Sequence, residues 1–158
     1  MSLDDWILAL HVLSAFALVG ALVIFWITIV ALWNTDSTTR VASLMAVSKV
    51  GTIMIAAGSI GTIVFGVWLA ISVDAYQVWD GWVIAAIVLW AIAAEVGRRA
   101  GTGYGEAGVE AEKLAAAGTT TSPALAETFG ASRALWFHAA SSALFLLILI
   151  DMIWKPGA

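Results

Sequence analysis

The sequence predicts an all-α fold, a four-helix transmembrane bundle, and three observations lead to it. Only 11% of the 158 residues are charged, whereas soluble domains carry about 25%. The apolar residues fall into four segments, each long enough to cross the ~30 Å hydrocarbon core of a bilayer. The charged residues gather between these segments. So little polar surface indicates that lipid is the main solvent of this chain, and its length allows one domain.

The first span is predicted at residues 6–33, because no charged side chain occurs between Trp6 and Trp33. Residues 1–5 lack the basic segment of a cleavable signal peptide, so we expect this helix to remain in the mature protein. His11 is its only ionisable group. An ionisable residue inside a span indicates a functional site, because removing it from water costs free energy.

The second span is predicted at residues 50–73, a charge-free stretch up to Ser72 that follows Lys49. The third is expected at residues 82–99, where Glu95 and two arginines close it, and the fourth at residues 134–154. Ion pairs at spacings of three and four residues, as between Glu95 and these arginines, are ordinary on helix surfaces. We therefore assign Glu95 no catalytic role.

The longest polar connection lies between the third and fourth spans, at residues 101–132. Its glycines at 101, 103 and 105 predict a flexible exit from the membrane helix, and residues 108–117 have the composition of a local helix. Ser122 followed by Pro123 is a helix start signal, so a helix from Pro123 into the fourth span is expected.

The distribution of Lys and Arg predicts the orientation. With four spans, six of the seven basic residues fall on one side, and only Lys155 falls on the other. By the positive-inside tendency, the first and third connections are cytoplasmic and both termini are extracytoplasmic, in the cell (plasma) membrane.

A face of small residues runs along the second span. Gly58, Thr62 and Gly66 recur at every fourth residue, an arrangement that lets helix backbones approach closely in lipid. This pattern indicates helix packing, within the chain or with a partner such as a second copy. The alternative is that the glycines make room for a flat cofactor.

Two histidines are the main candidates for chemistry. His11, with Ser14 on the same face, can ligate haem iron or copper, relay a proton, or hydrogen-bond a neighbouring helix. His138, with Ser142 four residues on, lies in the opposite leaflet because the fourth helix runs antiparallel to the first. The expected separation along the membrane normal is ~15 Å, so one haem held between both imidazoles is disfavoured.

Lys49 is a further candidate. If the second span sits one turn deeper, its ammonium approaches His138 in the inner leaflet, where a lysine can take part in proton transfer. The other interpretation is that its amine snorkels to the interface.

Several functional classes are excluded by the composition. The chain has no cysteine, which removes disulfides, thiolate metal sites and cysteine nucleophiles. It carries no basic stripe suited to nucleic acid, and no nucleotide fingerprint, phosphate loop or metalloprotease motif occurs.

Three stretches carry a resemblance: residues 8–15 (LALHVLSA) in the first helix, residues 61–69 (GTIVFGVWL) in the second, and residues 151–158 (DMIWKPGA) at the end. They resemble an uncharacterised family of bacterial four-span integral membrane proteins. The resemblance covers nearly the whole chain and implies four spans without an assigned activity.

A more distant resemblance concerns a histidine early in span one and the run Thr62, Gly66, Leu69 in span two. Both are similar to the CopD-type copper-resistance proteins and the HemJ-type membrane proteins. This resemblance implies haem b or, second, copper at His11, with Lys49 as the only candidate for the lysine that accompanies the histidine in HemJ-type proteins.

The sequence therefore predicts a membrane protein that binds haem b, or less favourably copper, through His11 as ligand. His138 is expected as second ligand or proton-linked residue. Two alternatives stay open: a non-catalytic membrane subunit or scaffold without cofactor, and a small transporter or channel. The channel is less favoured, because a hydrophilic pathway needs more polar groups inside the spans.

Overall fold

A computed structural model of the protein describes residues 2–33, 35–73, 77–130 and 133–156, and these residues form five helices and no strand. The helices are α1 (Leu3–Leu32), α2 (Thr38–Ser72), α3 (Gly81–Ala116), α4 (Pro123–Phe129) and α5 (Arg133–Trp154). Four segments are long and apolar enough to cross a membrane: α1, α2, α3 and the stretch Pro123–Trp154 that includes α4 and α5. The predicted all-α bundle is confirmed, and the chain is a multi-pass membrane protein.

A capping box starts α1. The Ser2 hydroxyl accepts a hydrogen bond from the Asp5 backbone N–H at 3.2 Å, and the Asp5 carboxylate accepts one from the Ser2 N–H at 2.6 Å. These two bonds satisfy backbone donors that have no partner within the helix. The first span therefore begins three residues before the position expected from hydropathy alone.

Glycines of α2 bring it into close contact with α1. A Cβ atom added at Gly58 would lie 2.7 Å from the Ser14 carbonyl oxygen, and one at Gly66 would lie 2.9 Å from His11 Cε1. Only glycine fits such an approach. The predicted packing role of the small-residue face is confirmed, with α1 of the same chain as the partner. Contact of Gly58, Thr62 and Gly66 with another protein stays a prediction.

The second close pair is α3 with α5. The Ser141 hydroxyl donates to the Ala93 carbonyl at 3.0 Å, and a Cβ at Gly97 would lie 2.9 Å from the Ser141 Oγ. Between the two pairs, Trp90 Nε1 of α3 donates to Ser59 Oγ of α2 at 2.9 Å. The bundle thus runs in the order α1, α2, α3, α5, and side chains of α1 and α5 close it.

The expectation for residues 101–132 was wrong in one respect. Instead of ending at residue 99 in a flexible exit, α3 continues without a break to Ala116. Its buried residues Tyr104, Ala107 and Ala111 recur at helical spacing and pack in a core cluster. Burial of this face stabilises the helix more than the nearby glycines destabilise it.

The start of a helix at Pro123 is confirmed, although the Ser122 side chain makes no capping hydrogen bond. Contrary to expectation, this helix does not run into the fourth span, since α4 ends at Phe129 and α5 begins at Arg133.

The best-packed part of the molecule lies at the end where α4 covers the bundle. We call it the basic end, because six of the seven Lys and Arg residues lie there. Its buried cluster comes from α1, α2, α3 and α4, and comprises Ile29, Leu32, Val41, Tyr104, Ala107, Ala111, Leu125 and Phe129. At 35 and 36 residues, α2 and α3 are each more than 50 Å long at about 1.5 Å per residue. They therefore extend beyond a ~30 Å hydrocarbon core.

Candidate ligand cavity

His11 lies in the contact between α1 and α2. Its Nδ1 donates to the Thr62 carbonyl oxygen at 3.0 Å, and its ring edge lies against Gly66. Ser14, one turn on, donates to the Leu10 carbonyl at 2.7 Å. Because Nδ1 has a partner, Nε2 is the nitrogen that remains for a ligand or a proton.

His138 lies in a different environment, among aromatic rings of α1. Its ring centroid is 4.8 Å from that of Trp26 and 6.0 Å from that of Phe25. Trp26 Nε1 donates to Ser142 Oγ at 3.0 Å, and Ser142 donates to the His138 carbonyl at 2.9 Å. These contacts join α1 to α5 around the imidazole.

The two histidines lie at different depths. His138 contacts residues that follow His11 by 14 and 15 positions, which is about 21 Å along the axis of α1. A single ligand held by both rings at one iron does not fit this arrangement.

A cavity of about 740 Å³ lies beside His138. This volume is within the roughly 300–1,000 Å³ of typical small-molecule sites. Side chains of α1, α2, α3 and α5 and one residue of α4 line it, and most of its surface is apolar. At the centre of the bundle it is bounded by a cluster of Leu18, Ala93, Phe145 and Ile148. The cavity therefore occupies the half of the bundle next to the basic end.

His138 is a polar residue of the cavity wall, and its Nε2 has no hydrogen-bond partner among the described residues. It is 6% exposed, and no donor or acceptor among the described residues lies within hydrogen-bonding distance of its Nε2. Three buried hydroxyls of the wall donate to backbone carbonyls: Ser141 to Ala93, Thr28 to Ile24 and Ser48 to Leu44. An unsatisfied buried nitrogen costs about 1–3 kcal/mol, so a ligand that bonds to Nε2 would remove this cost. Since Nε2 is itself covered, the ring must rotate or a neighbouring ring must move to present it.

Charged side chains stand at the outlet of the cavity toward the basic end. Lys49 Nζ lies 3.4 Å from Glu112 Oε1, and both side chains are largely exposed. Arg98 also lines the cavity, but its guanidinium is held by two hydrogen bonds to Glu95, at 2.9 and 3.0 Å. The Lys49 side chain is exposed, and Lys49 lines the same cavity as His138. Snorkelling of its amine to the interface stays a prediction.

Sequence reasoning identified His138 and Lys49 but not the cavity that holds both. Phe25 and Trp26 were missed because nothing in the first span shows which aromatic residues face the fourth. One signal was present in α3, where small residues recur at every fourth position, at Ala93, Gly97, Gly101 and Gly105. That spacing marks one helix face.

Among the described residues, no group of three His, Asp or Glu side chains could hold a metal ion. Copper at His11 would therefore have fewer than three ligands of these types from the described residues.

The comparisons with known proteins give no relative: no family model, no curated protein and no solved structure matches the chain.

Proposed function

We propose that this chain is a haem b binding protein of the plasma membrane, with the basic end in the cytoplasm and both termini outside. His138 is the iron ligand. The observation that carries the proposal is the unpartnered Nε2 of His138 in the wall of an apolar cavity of about 740 Å³.

Haem suits a site with one imidazole better than a bare ion does. The porphyrin supplies four nitrogen ligands in a plane, so that the protein needs to add only an axial ligand. A copper ion needs most of its ligands from side chains, and the described residues contain no group of three His, Asp or Glu side chains that could hold one. The rest of the cavity offers apolar contact for the macrocycle, and Lys49 lies where a propionate would reach water.

His11 is assigned a different role. Its hydrogen bond to Thr62 and its contact with Gly66 fix the α1–α2 pair at a place about 21 Å from the His138 contacts along α1. This role corresponds to the hydrogen-bonding alternative for His11, and the distant similarity to HemJ-type proteins would then concern the cofactor and not the position of its ligand.

The test is an absorption spectrum of protein purified in mild detergent from haem-replete cells. We expect a Soret band that disappears in His138→Gly and returns when free imidazole is added, because imidazole replaces the missing ligand. His11→Ala is the matched control, and its band should persist. A colourless, metal-free wild-type preparation, or a band unchanged in His138→Gly, would overturn the proposal.

A second outcome would support the alternative of a non-catalytic membrane subunit. Such a protein would purify without colour and carry one stoichiometric partner. We do not favour a channel, because Leu18, Ala93, Phe145 and Ile148 fill the centre of the bundle.

A further inference from the structure

We propose that the cavity takes a carboxylate-bearing amphiphile, which passes sideways from the lipid between α2 and α3 and places its carboxylate beside Lys49. This inference rests on the proposed function, because both place a ligand in the same cavity. The ligand itself can be a molecule other than haem b, since haem b is only one molecule with an apolar body and carboxylates.

The cavity opens along the seam between α2 and α3. The exposed lining residues of α2 and α3 include five small ones: Thr52 and Ala56 of α2, and Ala94, Gly101 and Gly105 of α3. A Cβ added at Gly101 or Gly105 would meet nothing within 4 Å, in contrast to the glycines of the α1–α2 contact. The small side chains here leave space instead of bringing helices together.

Two polar contacts define the ends of this seam. Toward the middle of the bundle, Trp90 and Ser59 are joined by a hydrogen bond of 2.9 Å. Toward the basic end, Lys49 and Glu112 form the ion pair at 3.4 Å. Between them the walls are apolar or carry hydroxyls that bond to their own helix, such as Thr52 to the Ser48 carbonyl. An elongated apolar molecule fits this outline, with its polar group at the basic end.

The charges at the outlet favour an anion. Lys49, Arg98 and Glu112 line the cavity, which gives two positive charges against one negative. Arg98 is committed to Glu95 by a bidentate pair, and Arg99 also donates to Glu95, at 2.7 Å. The Lys49–Glu112 pair is long, single and exposed, so it contributes little and exchanges readily. Lys49 is therefore the cation that can turn to a ligand carboxylate.

The absence of cysteine from the sequence allows a direct test. Gly101→Cys places a single thiol in the seam, and Gly81→Cys is the matched control. Gly81 is also a glycine of α3 with open space at its Cβ position, but it lies at the other end of the helix, outside the cavity wall. Labelling by an uncharged maleimide is followed in membranes, with oleate or methyl oleate present.

We expect saturating oleate to slow labelling of Gly101→Cys by about tenfold, the change given by about nine-tenths occupancy. Gly81→Cys should be unaffected, and methyl oleate should protect weakly because it has no carboxylate. Adding Lys49→Gln to Gly101→Cys should remove the advantage of oleate over its ester.

The outcomes separate this inference from the proposed function. Oleate protection in a protein that binds no haem would support the inference and overturn the haem proposal. A Soret band that depends on His138 would support the haem proposal, and the absence of oleate protection of Gly101→Cys in haem-free protein would overturn the inference. Equal protection by oleate and methyl oleate, or equal effects at Gly81→Cys, would overturn the inference.

Discussion

Alanine substitutions at two glycines should have opposite effects on stability. Gly58 and Gly101 both lie inside helices, and alanine favours a helix over glycine by about 1 kcal/mol at either position. At Gly58 the new Cβ would lie 2.7 Å from the Ser14 carbonyl oxygen and 3.0 Å from the Leu18 nitrogen, both backbone atoms of α1. At Gly101 it would meet nothing within 4 Å.

The two variants are compared by their free energies of unfolding. Both gain the same helix propensity, so the difference between them reports the contact of the new Cβ alone. Backbone atoms cannot rotate away, so Gly58→Ala must move α1 from α2, and overpacking of this kind costs about 1–3 kcal/mol. Gly101→Ala should therefore be more stable than the wild type by up to about 1 kcal/mol. Gly58→Ala should range from unchanged to less stable by about 2 kcal/mol, after its propensity gain.

Equilibrium unfolding in mixed micelles with increasing sodium dodecyl sulfate, followed by circular dichroism, measures both free energies. A double-mutant control is available at Gly61, where the new Cβ would meet the Ser14 side-chain Oγ. Ser14→Ala should partly rescue Gly61→Ala but not Gly58→Ala, because the second clash is with backbone. Equal stability of Gly58→Ala and Gly101→Ala would refute the assigned α1–α2 contact.

Two further stability predictions use the same unfolding assay. Trp26→Phe removes the indole donor to Ser142 Oγ and should lower the free energy of unfolding by about 0.5–1.5 kcal/mol. Trp136→Phe, at an exposed position, should leave it unchanged. Equal changes in the two variants would contradict the α1–α5 contact. Phe129→Ala empties a site that is 1% exposed and should cost about 3–5 kcal/mol. Ile153→Ala, at a surface position of 71% exposure, should cost clearly less, and a reversed order would contradict the packing at the basic end.

The fold was predictable because a charge-free stretch such as residues 6–33 has few other stable conformations in lipid. The continuation of α3 beyond residue 99 to Ala116 was not predictable in this way. Glycines at 101, 103 and 105 have low intrinsic helix propensity, and their local sequence indicates an exit from the helix. What keeps the helix intact is burial of Tyr104 and Ala107 against residues far away in the chain. Such contacts override propensity and leave little trace within a short window.

The candidate site was likewise predictable in its individual residues but not in how they come together. His138 and Lys49 were identified from the cost of placing ionisable groups near lipid. Their relation to a common cavity depends on the register of α2, α3 and α5, which periodicity within one helix does not reveal. The expectation that His11 is the first ligand came from its position in a hydrophobic span and from the distant resemblance to CopD-type and HemJ-type proteins. In the structure its Nδ1 bonds to the Thr62 carbonyl, and its ring lies against Gly66.

Glycine therefore serves two purposes in this bundle, and the difference bears on ligand binding. Gly58 lowers helix propensity but allows a close contact with α1, which offsets the loss. Gly101 and Gly105 lower it by about 1 kcal/mol each without a contact in return. The unpartnered His138 Nε2 adds a cost of about 1–3 kcal/mol. A ligand that fills the seam and bonds to this nitrogen offsets these costs, whereas Gly101→Ala removes one of them and should raise the stability of the free chain.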